Sequence, residues 1–253
     1  MQLTDRAAER LKKLFPEGNP VPESTDPELA EIFANFAFGE VPAEDILGEE
    51  TRSLAVLAAL LGCGGAELFG KMLSAALNAG VSPVQAREVV YQAAAYLGMG
   101  RVYPFLSQMN GVFASRGIAL PLGGQKRVGG KDRVTAGERT QVEIFGDGMR
   151  GFAESGPEET RHINRWLSAN CFGDYYTRGG LDYRQREMIT FCFLAAQGGC
   201  EPQLTSHAMA NMRIGNDKKF LISVLSQCLP YVGYPRTLNA LACVNAAAEK
   251  LKS

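Results

Sequence analysis

Histidine is nearly missing from this chain: 253 residues contain only His162 and His207. With few carboxylates clustered around either, a histidine-rich metal centre is excluded, and no metal is expected. An excess of charge of one sign is missing too. The net charge is −1 and no basic stripe runs along the chain, so the electrostatic footprint of a nucleic-acid binder is absent. The longest apolar stretches, 54–61 and 188–196, fall far short of the roughly 20 residues that span a bilayer. The opening MQLTDRAAERLKKLFPEG has no continuous apolar centre of the kind a secretory signal needs. Its Leu3, Ala7, Leu11 and Phe15 stand at helical spacing, which predicts a helix of the mature protein and a cytoplasmic location. Runs that alternate polar and β-branched residues are lacking, so strands are not expected. The six cysteines show no CxxC or zinc-like spacing, and in a cytosolic chain most should be reduced and buried.

What the chain does have is a repeat. Gly80, Gln92, Tyr96, Gly98 and Arg101 recur as Gly215, Gln227, Tyr231, Gly233 and Arg236 at a constant offset of 135. Upstream, Phe38-Gly39-Glu40, Leu47 and Arg52 recur as Phe172-Gly173-Asp174, Leu181 and Arg186 at an offset of 134. One inserted residue aligns two copies over most of the chain. A unit this long is a duplicated fold and not a solenoid repeat.

Each copy reads as five or six helices. Leu54, Leu57, Leu61 and Leu68, Met72, Ala76 keep the three-and-four spacing of amphipathic helices, as do Val84, Val89, Ala93, Tyr96 and Phe220, Val224, Cys228, Tyr231. Asp5, Asp26 and Ser82 are candidate N-caps, with Pro83 fitting the first helical position. Gly80 and Gly215 fit helix ends. Residues 118–137 carry glycine and charge with little periodicity. The expected organisation is a first domain at 1–120, a linker at 121–137 and a second domain at 138–253, all-α throughout.

The run FGDYYTRGGLDYRQREMITFCFLAAQGGCEPQLTSHAMANMRIG carries a resemblance. Its FG-acid opening, Arg186 at the head of a long apolar helix, His207 on a following helix and the Tyr231-Val-Gly-Tyr-Pro235 ending resemble the carboxymuconolactone decarboxylase family. Copy one repeats the framework with FGEV, ETRSLAVLAALLG, AEL, ALNAGVS and AAYLG. The resemblance implies two tandem all-α domains of the alkylhydroperoxidase D-like fold and a small-molecule substrate handled without a cofactor. It also implies a homo-oligomer, plausible here as a trimer imitating a hexamer of single domains.

His207 matches the family's motif histidine, and imidazole can exchange a proton near neutrality. Spacing alone would favour a structural histidine; the resemblance reverses that. At the offset of 135 its counterpart is Met72, which cannot transfer a proton, while a local match of Glu67-Leu68 to Gln203-Leu204 would give Lys71. One competent site, in copy two, is therefore expected. Around it Glu187 and Glu201 could orient the imidazole. Arg178, Arg184, Arg186 and Arg236 could hold a carboxylate, although Arg186 and Arg236 have partners in Arg52 and Arg101 and so also read as staples of the fold. Trp166, Tyr175, Tyr176 and Tyr183 could line a small pocket beside an Asp174–Arg178 loop.

Two chemistries remain open. Cys200 and His207 occupy the first-cysteine and histidine positions of alkylhydroperoxidase D-type enzymes, but Gln203 stands where the second cysteine would be, so the usual disulfide cannot close. Gln203 also replaces the glutamate often found four residues before the histidine in decarboxylases. The expectation is a decarboxylase-type lyase, or related isomerase, acting on a small carboxylated or lactone-like metabolite. The alternatives are a thiol-dependent peroxidase using Cys200 and His207, and a non-catalytic binding or assembly protein.

Overall fold

The computed structural model describes residues 2–252, and among these every regular element is helical. The first repeat holds α1 (Asp5–Leu14), α2 (Pro27–Ala34), α3 (Glu49–Cys63), α4 (Ala66–Asn78), α5 (Pro83–Leu97) and α6 (Met99–Ser115). The second holds α7 (Arg133–Phe145), α8 (Arg161–Trp166), α9 (Tyr183–Gln197), α10 (Glu201–Arg213), α11 (Lys218–Val232) and α12 (Tyr234–Lys250). Each repeat also has a π-helical segment after its second helix, Asn35–Glu40 and Leu167–Tyr176.

Local chemistry sets the helix starts. Ser82 and Asp182 form reciprocal capping boxes with Gln85 and Gln185, and Pro83 takes the first position of α5. The cap of α1 is Thr4, one residue before the expected Asp5. Asp26 stands at the cap position of α2 but makes no capping bond; it accepts instead from the Thr25 hydroxyl. Gly80 and Gly215, with φ of +100° and +97°, end α4 and α10 as expected. The expected linker is shorter than 121–137, because α7 already begins at Arg133, whose guanidinium pairs with Asp174. Its Leu122 and Gly123 carbonyls are held by Arg87 of α5.

The two repeats are tandem helical units that share one apolar core. α3 and α9 cross at the centre so closely that a Cβ on Gly62 would lie 2.7 Å from the Ala196 Cβ. α5 of the first repeat packs on α9 and on the second π segment, and α11 packs reciprocally on α3. The helices that carry Gln92-Tyr96 and Gln227-Tyr231 thus pack across the boundary between the repeats as well as within their own. The pocket around Met72 is lined by both halves of the chain, Gln227 and Tyr231 arriving from the second repeat. Arg101 and Arg236 staple the crossing symmetrically, Arg101 donating to the Gly62 carbonyl and Arg236 to that of Ala196.

Candidate functional site

His207 lies on the buried face of α10 with its side chain about 10% exposed. Its Nδ1 is 2.8 Å from Oε2 of Glu187, which α9 presents from the core at zero exposure. The other carboxylate oxygen, Oε1, accepts from the Tyr176 hydroxyl at 2.5 Å. Tyr176 in turn meets Thr190 Oγ1 at 3.0 Å and the Tyr96 hydroxyl at 2.9 Å. Gln92 donates to Thr190 Oγ1 at 2.8 Å. Tyr96 and Gln92 come from the first repeat. The centre is therefore a buried chain of hydrogen bonds that neither half contains alone.

The arrangement fixes a tautomer. A carboxylate only accepts, so Nδ1 carries the proton donated to Glu187, and none of the described residues bonds Nε2. The edges of Phe145 and Tyr96 flank the imidazole at ring-centroid distances of 5.2 and 5.4 Å. Phe145 arrives there because α7 packs backbone to backbone on the π segment: a Cβ on Gly137 would fall 1.8 Å from the Ser168 carbonyl oxygen. Only glycine permits that approach.

Burial pushes the Tyr96 and Tyr176 phenols well up, so both remain protonated donors at neutral pH. Burial likewise raises the Cys171 thiol beside Tyr96 from 9.0 to about 12. In the unfolded chain these groups ionise earlier, so the folded state loses stability as pH climbs. The contribution of Cys171 is complete below pH 9 and lost by about 12. It amounts to about 4 kcal/mol for a shift of that size. Denaturant midpoints should fall steadily from pH 9 to 12, and less steeply in Cys171→Ala; identical slopes in the two proteins would contradict this origin.

The other expected site residues are placed differently. Arg178 forks onto Glu88 at 2.8 and 2.9 Å, and its pKa is raised chiefly by that bond. Arg186 is wholly buried and spent on Gln92, Glu88 and the carbonyls of Arg178 and Gly179. Exposed Arg184 holds Asn216 and the Gly215 carbonyl in the turn after α10. These three arginines staple the two repeats and a turn, and leave the guanidinium clamp without a donor aimed at His207. The Asp174–Arg178 stretch is not an open loop; it closes the π segment, tied to Arg133 and Glu88. Trp166 is exposed against His162, and Tyr183 meets Thr140.

Cys200 and Glu201 are not brought to His207. Cys200 donates to the Leu194 carbonyl at 3.5 Å and receives from Gln197. It lines a cavity of about 280 Å³ with Arg236 and Asn239, and burial raises its pKa, the opposite of an activated thiol. Glu201 and Gln203 are exposed in the first turn of α10. Sequence reasoning missed the contributions of Tyr96, Gln92 and Thr190. The signal for two of them was on view, since Gln92 and Tyr96 recur as Gln227 and Tyr231.

In the first repeat the equivalent place has no proton-transferring histidine, although Arg10, Glu49, Arg52 and Gln227 line the pocket around it. Met72, not Lys71, occupies it, and the Tyr231 hydroxyl points at its sulfur at 3.9 Å. Lys71 instead donates to the Pro20 carbonyl. Ser53 and Val56 stand where the second repeat has Glu187 and Thr190.

Fold and site define a duplicated all-α protein with a single buried His–Glu–Tyr centre. The carboxymuconolactone decarboxylase family matches residues 27–106 and 162–246, and the chain belongs to that family. No curated protein matches it. The fold is similar to a crystal structure described as a "putative gamma-carboxymuconolactone decarboxylase subunit" from Burkholderia xenovorans LB400. The TM-score is 0.58 at 18% identity, over 97% of each chain. No helix among the described residues is long and apolar enough to cross a membrane.

Proposed function

We propose that the protein is a cofactor-free lyase of the decarboxylase type, or a related isomerase, in which His207 moves a proton on a small carboxylated or lactone-like substrate. The observation that carries this reading is the Nδ1–Glu187 bond of 2.8 Å, which holds one imidazole nitrogen and commits the other to chemistry. In a decarboxylation the electron pair of the breaking C–C bond enters a conjugated enolate as carbon dioxide leaves. Protonated His207 delivers its Nε2 proton to the carbon and recovers one from water. The imidazolium is also the cation nearest the developing negative charge, a role the buried arginines do not fill. Phe145 and Tyr96 make the walls apolar, suited to a small substrate with one polar end. Release of carbon dioxide from a panel of small carboxylated lactones tests the reading. Turnover that survives in His207→Gln would overturn it. The thiol-peroxidase reading has less support, because Cys200 and His207 share no contact.

The protein acts as a homo-oligomer of trimeric type. Both repeats expose apolar residues at matched positions: Leu29 and Ile32 on α2 recur as Ile163 and Trp166 on α8, all more than half exposed. Unpaired apolar faces repeated by the duplication suit a ring in which each chain counts twice. Light scattering should give about three times the chain mass; a monomer at micromolar concentration would sink the assembly.

A further inference from the structure

Two cysteine sulfurs meet in the core between helices of the second repeat. Cys192 on α9 and Cys228 on α11 are both buried, with their Sγ atoms 3.9 Å apart. A disulfide requires about 2 Å, so closing it needs a shift of similar size in two side chains or their helices. The first repeat supplies the comparison. At the equivalent positions it carries Ala58 and Ala93, both fully buried. Packing at this crossing is therefore satisfied by methyl groups, and both members of the contact carry sulfur in one repeat and neither in the other. Cys63 extends the line toward the surface. It is half-buried at the end of α3, 3.9 Å from the Tyr231 carbonyl and one helical turn along α11 from Cys228. Burial raises its pKa as it does that of Cys200, so what sets Cys63 apart from Cys192 and Cys228 is access to the surface and not an activated thiol.

We propose that Cys192 and Cys228 form a redox modification site that closes to a disulfide under peroxide, with Cys63 as the sulfur that meets the oxidant. The Cys63 thiolate attacks hydrogen peroxide; an S–O bond forms, the O–O bond breaks and hydroxide leaves. The Cys228 sulfur then attacks the Cys63 sulfenic acid, forming an S–S bond and releasing water. Cys192 attacks Cys228 in the mixed disulfide and expels Cys63 as thiolate, which regains its proton. Two thiols are oxidised, one peroxide is reduced to two waters and Cys63 is restored. Burial shields Cys192 and Cys228 from direct attack, which is why the half-buried thiol comes first. The bridge ties the helix that bears Glu187 to the helix that bears Tyr231, and its formation is read without reference to any substrate.

The test is peptide mass mapping of the full-length protein after graded hydrogen peroxide and rapid alkylation. The expected product is a linked Cys192–Cys228 peptide lighter by about 2 Da, reversed by a dithiol. Cys63→Ser should slow its formation about tenfold. In Cys228→Ala, which carries the first repeat's residue, Cys63 should persist as sulfenic acid, and in Cys192→Ala the Cys63–Cys228 mixed disulfide should accumulate. The proposal is overturned if the linked peptide is absent while Cys63 advances to sulfinic acid. Formation at an unchanged rate in Cys63→Ser, or Cys200–Cys243 as the main linkage, overturns it equally.

Discussion

Glu88→Gln is expected to lower the free energy of unfolding by about 3–5 kcal/mol. Glu88 has no exposed surface, belongs to α5 of the first repeat and faces three guanidiniums. Arg178 forks onto it at 2.8 and 2.9 Å, Arg186 reaches it at 3.3 Å and Arg87 stands at 3.8 Å. Burial lowers the Arg186 pKa, and the Glu88 charge is the largest influence opposing that fall. Glutamine keeps the shape but removes the charge. Its amide NH₂ also turns a donor toward arginine donors, so a repulsive contact replaces an attractive one. The first repeat solves the same problem locally: Arg52 pairs with Asp45 of its own half, which also accepts from Gln227. Urea unfolding should show a lower midpoint at unchanged m, since the surface exposed on unfolding does not change. A loss below about 1 kcal/mol would place Glu88 among the weak surface pairs and defeat the argument.

Glu187→Gln should reduce turnover by about 10²–10⁴ with the helical fold intact, and His207→Gln by at least as much. Glu187 accepts from two donors at once, Tyr176 and the His207 Nδ1. A neutral amide can accept only at its oxygen. If that oxygen faces Tyr176, the NH₂ group faces Nδ1 and forces the imidazole into the opposite tautomer, with its proton on Nε2. The carboxylate that balances the imidazolium charge is then gone, so the acid form that delivers the Nε2 proton is disfavoured even though every ring atom stays in place. Tyr96→Phe should cost much less, because Tyr96 reaches the carboxylate only through Tyr176. Carbon dioxide release from whichever lactone acid the wild type turns over measures all three. Equal activity in Glu187→Gln and wild type would remove the dyad from the mechanism.

Much of this was legible in the chain. The offsets of 134 and 135 already stated a duplicated unit, and the three-and-four spacing of apolar residues stated helices. Local capping chemistry, as at Ser82 and Gly80, fixed where several of them start and stop, because caps depend on residues only a few positions apart. His207 and the loss of its counterpart at Met72 were also readable, since they are identities at known repeat positions.

Other features depended on contacts between distant residues. Glu187 and Glu201 were equal candidates for orienting the imidazole, and the turn of α9 over α10 selects Glu187 by burying it against Nδ1. Arg178 and Arg186 looked like ligands for a carboxylate until α5 brought Glu88 to them across some 90 residues of sequence. Cys200 stands seven residues before His207, but its sulfur turns to the Leu194 carbonyl of the preceding helix. Sequence by itself determined the duplication, the helices and the residue that can move a proton. Which carboxylate and which phenol belong to that residue, and which arginines do not, was decided by tertiary structure, because α5 of the first repeat packs on α9 and brings Tyr96, Gln92 and Glu88 to it.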